Sequence, residues 1–138
     1  EEKCQLLGQL GINVNLGPVC DIATDSGAFL YSRSLGQDAE TTSQVVSEIV
    51  NLMNQNHIGS VLKHFPGYGN NADTHTGIAK DSRSLAELEG NDLLPFAAGI
   101  QAGCGAVMVG HVIVEAMDSS LPASTNICGT PWALPASS

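Results

Sequence analysis

Between Lys63 and His75 the chain gathers an ammonium, two imidazoles and a carboxylate, on Lys63, His64, Asp73 and His75, into a stretch that also holds Pro66, Gly67 and Gly69. Turn formers at that density stop a helix or a regular strand from running through, so the polar groups lie on an irregular segment directly after the apolar run 60–62. Loops in that position are where α/β enzymes hold reactive side chains. His75 is of the type to donate and then retrieve a proton near neutral pH, an unperturbed imidazole titrating at about 6.5. Asp73, two residues earlier, can face the same way in an extended loop. It would hold the ring in one tautomer and stabilise its protonated form. The pair Asp73 and His75 is therefore the candidate acid/base unit.

Other uses of the same residues are weaker. His64, Asp73, His75 and His111 are of types that hold zinc or manganese, but the chain lacks the helical i, i+4 pair and the H-x-H doublet of familiar zinc motifs. No metal is expected. Gly67 and Gly69 lack the third glycine and the helix start of a dinucleotide cradle, and no cofactor is implied. His111 by itself suits a structural or pocket-wall role, and His57, at a helix end, suits a solvated cap. Five Lys plus Arg against fourteen Asp plus Glu leave a net charge of −9, which repels phosphate backbones and anionic lipid heads. Neither nucleic acid nor a membrane is an expected partner, and no apolar run approaches the roughly 20 residues of a spanning helix. Cys4, Cys20, Cys104 and Cys128 show neither C-x-x-C spacing nor the density of a disulfide scaffold, so free, buried thiols are expected.

The elements that must position the loop follow a β-then-α rhythm. Residues 13–19 alternate apolar side chains and end in Pro and turn chemistry, as a short strand does. Over 39–56 the apolar residues 45, 46, 49, 50, 52 and 53 make a helical stripe, with Asp38 placed as its N-cap. Gly59 restarts the chain into a strand over 60–63, and Ser84 to Glu87 forms a capping box for the next helix. Pro95 kinks or restarts that helix because it cannot donate the backbone hydrogen bond. A third strand is expected over 106–111. Strands beginning near 13, 59 and 105 with helices between them predict a parallel sheet with long connections, 20–38 and 64–83, beyond the strand ends. The fold class is α/β. Both the (β/α)₈ barrel and the open doubly wound sheet keep their function at that end.

Gly11 to Ile22, Arg33-Ser34-Leu35-Gly36, Lys63-His64-Phe65-Pro66-Gly67, Asp73-Thr74-His75, Met108 to His111 and Pro122-Ala123-Ser124 occur in that order. Together these segments resemble the N-terminal domain of glycoside hydrolase family 3, specifically its β-N-acetylglucosaminidase branch, with Asp73-Thr74-His75 as the branch's dyad. The resemblance implies a TIM barrel and a retaining glycosidase that removes terminal β-linked N-acetylhexosamine. Its carbohydrate substrate would be an N-acetylglucosamine-containing oligosaccharide or a muropeptide. It also implies His75 as acid/base, Asp73 as its orienting partner, and Arg33, Lys63 and His64 as binders of sugar hydroxyls. Asp21 is expected to anchor Lys63 or Arg33 rather than to react. Residues 1–125 would be the central part of that catalytic domain and 126–138 an irregular tail, where Pro131 and Pro135 cannot sustain a helix. The chain is thus expected to be a fragment without the Asp nucleophile and inactive alone. A β-glucosidase-type member, a phosphorolytic member and a non-catalytic sugar-binding remnant are the alternatives. Finally, the turn at Phe65–Pro66 is expected to carry strained or cis peptide bonds.

Overall fold

The computed structural model of the protein describes residues 1–69, 79–120 and 122. In chain order the elements are α1 (Glu2–Gln9), β1 (Val14–Asn15), a 3₁₀ turn (Tyr31–Arg33), α2 (Ala39–Gln55), β2 (Gly59–Phe65) and β3 (Ala79–Asp81). They continue with α3 (Leu85–Glu87), a π turn (Leu88–Asp92), α4 (Leu94–Gln101), β4 (Ala106–Val109) and β5 (Val112–Val114). β1, β2 and β4 form one parallel sheet in that order, and β3 pairs with β5 in parallel. The expected α/β rhythm and the parallel sheet are present.

The helices form where their ends and stripes dictate. Thr41 N–H donates to Asp38 Oδ1 at 2.8 Å, the N-cap bond that starts α2. Val46, Val50 and Met53, at helical spacing, are its buried stripe. Ser84 and Glu87 make the reciprocal capping box at α3, with Ser84 N–H donating to Glu87 Oε2 at 2.7 Å and Glu87 N–H to Ser84 Oγ at 3.3 Å. The helix after Ser84 is broken as expected near Pro95, which lies in the first turn of α4 beyond the π turn.

Three expectations change. The strand over 13–19 is only a two-residue ladder, Val14 with Gly59 and Asn15 with Ser60, followed by a single bridge from Val19 to Lys63. Between them the Gly17–Pro18 peptide is cis, Gly17 N–H turns back to Asn15 O at 2.9 Å and Val61 N–H donates to Gly17 O at 3.0 Å, so the pairing continues irregularly. The third strand stops at Val109, and Val112–Val114 forms a separate, wholly buried strand against Ala79–Asp81. The connection after β2 is correspondingly shorter than 64–83. α1 was not expected, because Gly8 interrupts it and it buries only Cys4.

Among the described residues the core has three centres. Cys20, Val46, Val50, Leu62 and Phe96 lie between the sheet and α2 and α4, with Phe65 edge-on to Phe96 at 5.4 Å. Gly99 allows that approach, since a Cβ there would stand 2.7 Å from Leu62 Cδ1 and 3.0 Å from Val46 Cγ1. Leu30, Tyr68, Leu88, Val112 and Val114 pack behind the loop that follows β2, and Cys4, Met53 and Ile58 join α1 to α2. The free cysteines Cys4 and Cys20 are buried, while Cys104 is half-buried. Burial, with the Asp21 carboxylate beside it, pushes the Cys20 thiol up to about 12.

Candidate active site

The site is built at the end of β2. Its ladder with β4 shifts register between Leu62 and Phe65, so Lys63 and His64 sit where regular pairing breaks. The Lys63–His64 and Phe65–Pro66 peptides are both cis, in accord with the expectation for this turn. Gly67 has φ +110° and Gly69 φ +54°, backbone that favours glycine. The extension of β1 runs alongside, with Cys20 N–H donating to Lys63 O at 2.6 Å and Lys63 N–H to Pro18 O at 3.2 Å. This pairing sets Asp21 opposite His64.

Asp21 is the hub of the loop. Its buried carboxylate accepts from His64 N–H at 3.0 Å and from Tyr68 N–H at 2.9 Å, and lies 2.9 Å from His64 Nδ1. A carboxylate only accepts, so Nδ1 carries the proton and Nε2 is the ring nitrogen left for other partners. The imidazole, 16% exposed, stands edge-on to Tyr68 at 5.5 Å. Asp21 therefore anchors His64 and not Lys63 or Arg33 as expected. The reason is register: the bridge at Val19 and Lys63 brings the next inward position of one strand against the loop of the other.

Behind the loop lies a second ionic cluster. Arg83 Nε donates to both oxygens of Asp81 at 2.9 and 3.1 Å, and its Nη2 donates to Gly67 O at 3.0 Å. Its Nη1 stands 2.7 Å from Asp92 Oδ1. Hydrogen bonds to Asp81, then to Asp92, hold the guanidinium far above even its ordinary range, against the opposing effect of burial. A Cβ on Gly69 would lie 2.7 Å from Arg83 Nη1, and one on Gly67 would lie 3.0 Å from Asp92 Oδ1. Both glycines are thus pressed against this cluster. Sequence reasoning missed it, although Asp81 two residues before one of only five cationic side chains was the available signal.

Lys63 and Arg33 line one cavity of about 640 Å³ together with Lys3. The structure brings these two expected binders together, with Arg33 on the 3₁₀ turn and Lys63 half-buried at the end of β2. Lys63 is pushed below its ordinary value, first by lost hydration and then by the charges of Arg33 and Lys3, while Asp21 pulls the other way. His64 is held apart by Asp21. Asp73 and His75 lie outside the described residues, as do Cys128 and the expected tail 126–138. His111 is exposed in the turn between β4 and β5. Among the described residues no group of three His, Cys, Asp or Glu side chains is placed to hold a metal.

The family described as the glycosyl hydrolase family 3 N terminal domain matches residues 4–134. This chain belongs to that family. A beta-hexosaminidase of Stenotrophomonas maltophilia (strain K279a) is 38% identical over 104 residues, covering 75% of this chain and 31% of that protein. A glycoside hydrolase family 3 beta-N-acetylglucosaminidase from Paenibacillus sp. str. FPU-7 superposes with a TM-score of 0.81 at 33% identity, over 86% of this chain and 23% of that one. NagZ from Neisseria gonorrhoeae, solved with N-trifluoroacetyl-D-glucosamine, gives 0.76 at 31% identity, over 86% and 34%. The chain spans about a third of the length of the curated relatives it matches. The parallel strands β1, β2 and β4 with their helices are accordingly part of a family 3 TIM barrel.

Proposed function

We propose that this family 3 chain is the sugar-binding and acid/base segment of a retaining β-N-acetylhexosaminidase. The substrate is a terminal β-linked N-acetylhexosamine on an N-acetylglucosamine-containing oligosaccharide or a muropeptide. The observation that carries this is the convergence of Lys63 and Arg33 on one cavity beside a His64 whose Nδ1 is committed to Asp21. Donors aimed into a cavity suit the hydroxyls of a sugar ring, and the committed Nδ1 leaves His64 a single ring nitrogen for the same task. Similarity to named hexosaminidases supports the substrate class.

In the first step the protonated His75 gives its proton to the glycosidic oxygen as the bond to the anomeric carbon breaks. A carboxylate nucleophile, on an Asp outside these 138 residues, forms the glycosyl ester. In the second step neutral His75 takes a proton from water, whose oxygen attacks the anomeric carbon and releases the carboxylate. Asp73 orients the imidazole and stabilises its charged form in both steps.

The test is His75→Ala in the full-length enzyme that carries this segment. Turnover on substrates with poor leaving groups is expected to fall by about 10²- to 10⁴-fold, the usual worth of a general acid/base. An activated aryl glycoside, which departs with little proton help, would lose less. Azide would rescue breakdown of its glycosyl intermediate. Turnover on a chitobiose-type substrate within about threefold of wild type, far short of that acid/base contribution, overturns the assignment. Loss of activity to a chelator with no azide rescue would point to a metal site instead.

A further inference from the structure

The Arg83 guanidinium touches the chain at two places that are far apart in sequence. Its Nη2 donates to Gly67 O at 3.0 Å while its Nε grips both oxygens of Asp81. Asp73 and His75, the proposed acid/base unit, lie between those two positions in sequence. The stem that enters this stretch is held twice. Besides the bond to Gly67 O, Gly69 in its left-handed conformation presses on the guanidinium so closely that a Cβ there would stand 2.7 Å from Nη1. The stem that leaves it is held by register: Ala79–Asp81 pairs in parallel with Val112–Val114, Glu115 N–H donates to Asp81 O at 2.9 Å, and Arg83 N–H donates to Asp81 Oδ1 at 3.0 Å. The third corner is Asp92, 2.7 Å from Arg83 Nη1. Asp92 ends the π turn Leu88–Asp92, where Leu93 N–H reaches back to Leu88 O at 2.9 Å. Single π turns within helical segments are frequent at functional sites, and this one sets a carboxylate against Gly67.

We propose that Arg83 is a positioning residue for catalysis: with Asp81 and Asp92 it clamps both stems of the stretch that carries Asp73 and His75, and so sets where the acid/base unit stands relative to Lys63 and His64. The inference rests on the acid/base assignment made above. A buried ion cluster gains a fold little over apolar side chains of equal volume, but an arginine fork holds its partners to a defined geometry. The clamp is continuous with the sugar-binding end of β2, because Gly67 N–H donates to His64 O at 2.8 Å. Proton transfer needs the acid within hydrogen-bond reach of the glycosidic oxygen, and a misplacement of about 1 Å costs about 10²-fold in rate.

The test uses the full-length enzyme with Arg83→Lys and Asp92→Asn. The second variant keeps the shape of the cluster and the fork to Asp81, so it serves even where the first does not accumulate as folded protein. Arg83→Lys should lower turnover on a chitobiose-type substrate by about 10- to 10²-fold, the scale of a small misplacement, and Asp92→Asn by less. An activated aryl glycoside should lose less in its first step, and azide should speed breakdown of its intermediate, as for His75→Ala. In a His75→Ala background neither substitution should cost more than about threefold, since a clamp that acts through His75 then has nothing left to position. A cluster that only stabilises the fold would lower turnover on both substrates by one factor and would add in full to His75→Ala. That result overturns the inference and leaves the acid/base assignment standing. A His75→Ala enzyme without the leaving-group pattern overturns the assignment, and the inference with it.

Discussion

Lys63, within β2, and Arg83, whose guanidinium meets Gly67 O just beyond that strand, are two cations whose surroundings push them in opposite directions. Arg83 is enclosed by Asp81 and Asp92, spends a further donor on Gly67 O, and is held well above its usual range. Lys63 faces a cavity beside two other cations and is pushed below its usual range. A cation enclosed by buried carboxylates spends most of its donors within the protein, so Arg83 serves the backbone of the loop. A cation held among like charges costs the fold free energy and keeps its donors for whatever enters. Asp21 stands between these cases. It fixes backbone, as the Arg83 cluster does, through His64 N–H and Tyr68 N–H, yet it also orients the His64 ring.

If that division holds, the largest stability effect belongs to Arg83. Arg83→Ala leaves the Asp81 and Asp92 carboxylates, 1% and 3% exposed, without their counter-charge. Breaking a buried pair from one side costs about 3–5 kcal/mol, which a urea or guanidinium midpoint on the chain would register. Arg83→Lys should recover only part of this, because an ammonium cannot reproduce the fork to Asp81 and the bond to Gly67 O together. A midpoint for Arg83→Ala indistinguishable from wild type would mean that the cluster is not what holds Gly67 and Gly69 in place.

The second effect sharpens the intermediate case. In Asp21→Asn one oxygen becomes an amide that donates where two backbone N–H groups and Nδ1 need acceptors, so a buried donor is left unpaired at a cost of about 1–3 kcal/mol. The His64 ring should also lose its fixed tautomer, visible as a change in its ¹⁵N shifts. Arg83→Ala should leave those shifts alone unless the whole loop melts. Identical ring shifts in wild type and Asp21→Asn would break the distinction between a hub that orients a side chain and a clamp that only holds backbone.

How much of this was legible beforehand depended on the range of the signal. α2 and the Ser84 to Glu87 box were readable because a stripe at helical spacing and a capping pair are local in sequence. The Lys63 to Gly69 loop was readable from its turn formers and its polar side chains. α1 was not, since one buried residue and an internal glycine leave no periodic stripe. β3 and β5 were missed because three-residue strands carry too little alternation to detect, and they exist only through each other. The partner of Asp21 turned on the bridge between Val19 and Lys63, a long-range register that composition does not reveal. Convergence of Lys63 and Arg33 was expected from resemblance alone, and that of Lys3 with them was not expected at all.

The smallest effect concerns Lys63 and has a sign that can be worked out. Its folded pKa lies below the ordinary value of 10.5, so folding penalises the charged form. At pH below the folded pKa both folded and unfolded chains are protonated and the penalty is fully present. Between the folded and ordinary values the unfolded chain binds more protons, and stability rises with pH. Above the ordinary value the penalty is gone. Lys63→Met keeps the aliphatic stem and removes the charge, so at pH 7 it should unfold no earlier than wild type. The change should stay within about 0.5 kcal/mol, because the group is only partly buried. As pH rises toward 10.5 the wild type should gain on the variant, because only the wild type sheds the Lys63 penalty. The same substitution should weaken binding of N-acetylglucosamine in the full-length enzyme, so stability and binding part company at this residue. A Lys63→Met protein that is clearly destabilised at pH 7, with a gap that does not move toward alkaline pH, would place Lys63 with Arg83 among the cations that hold the fold.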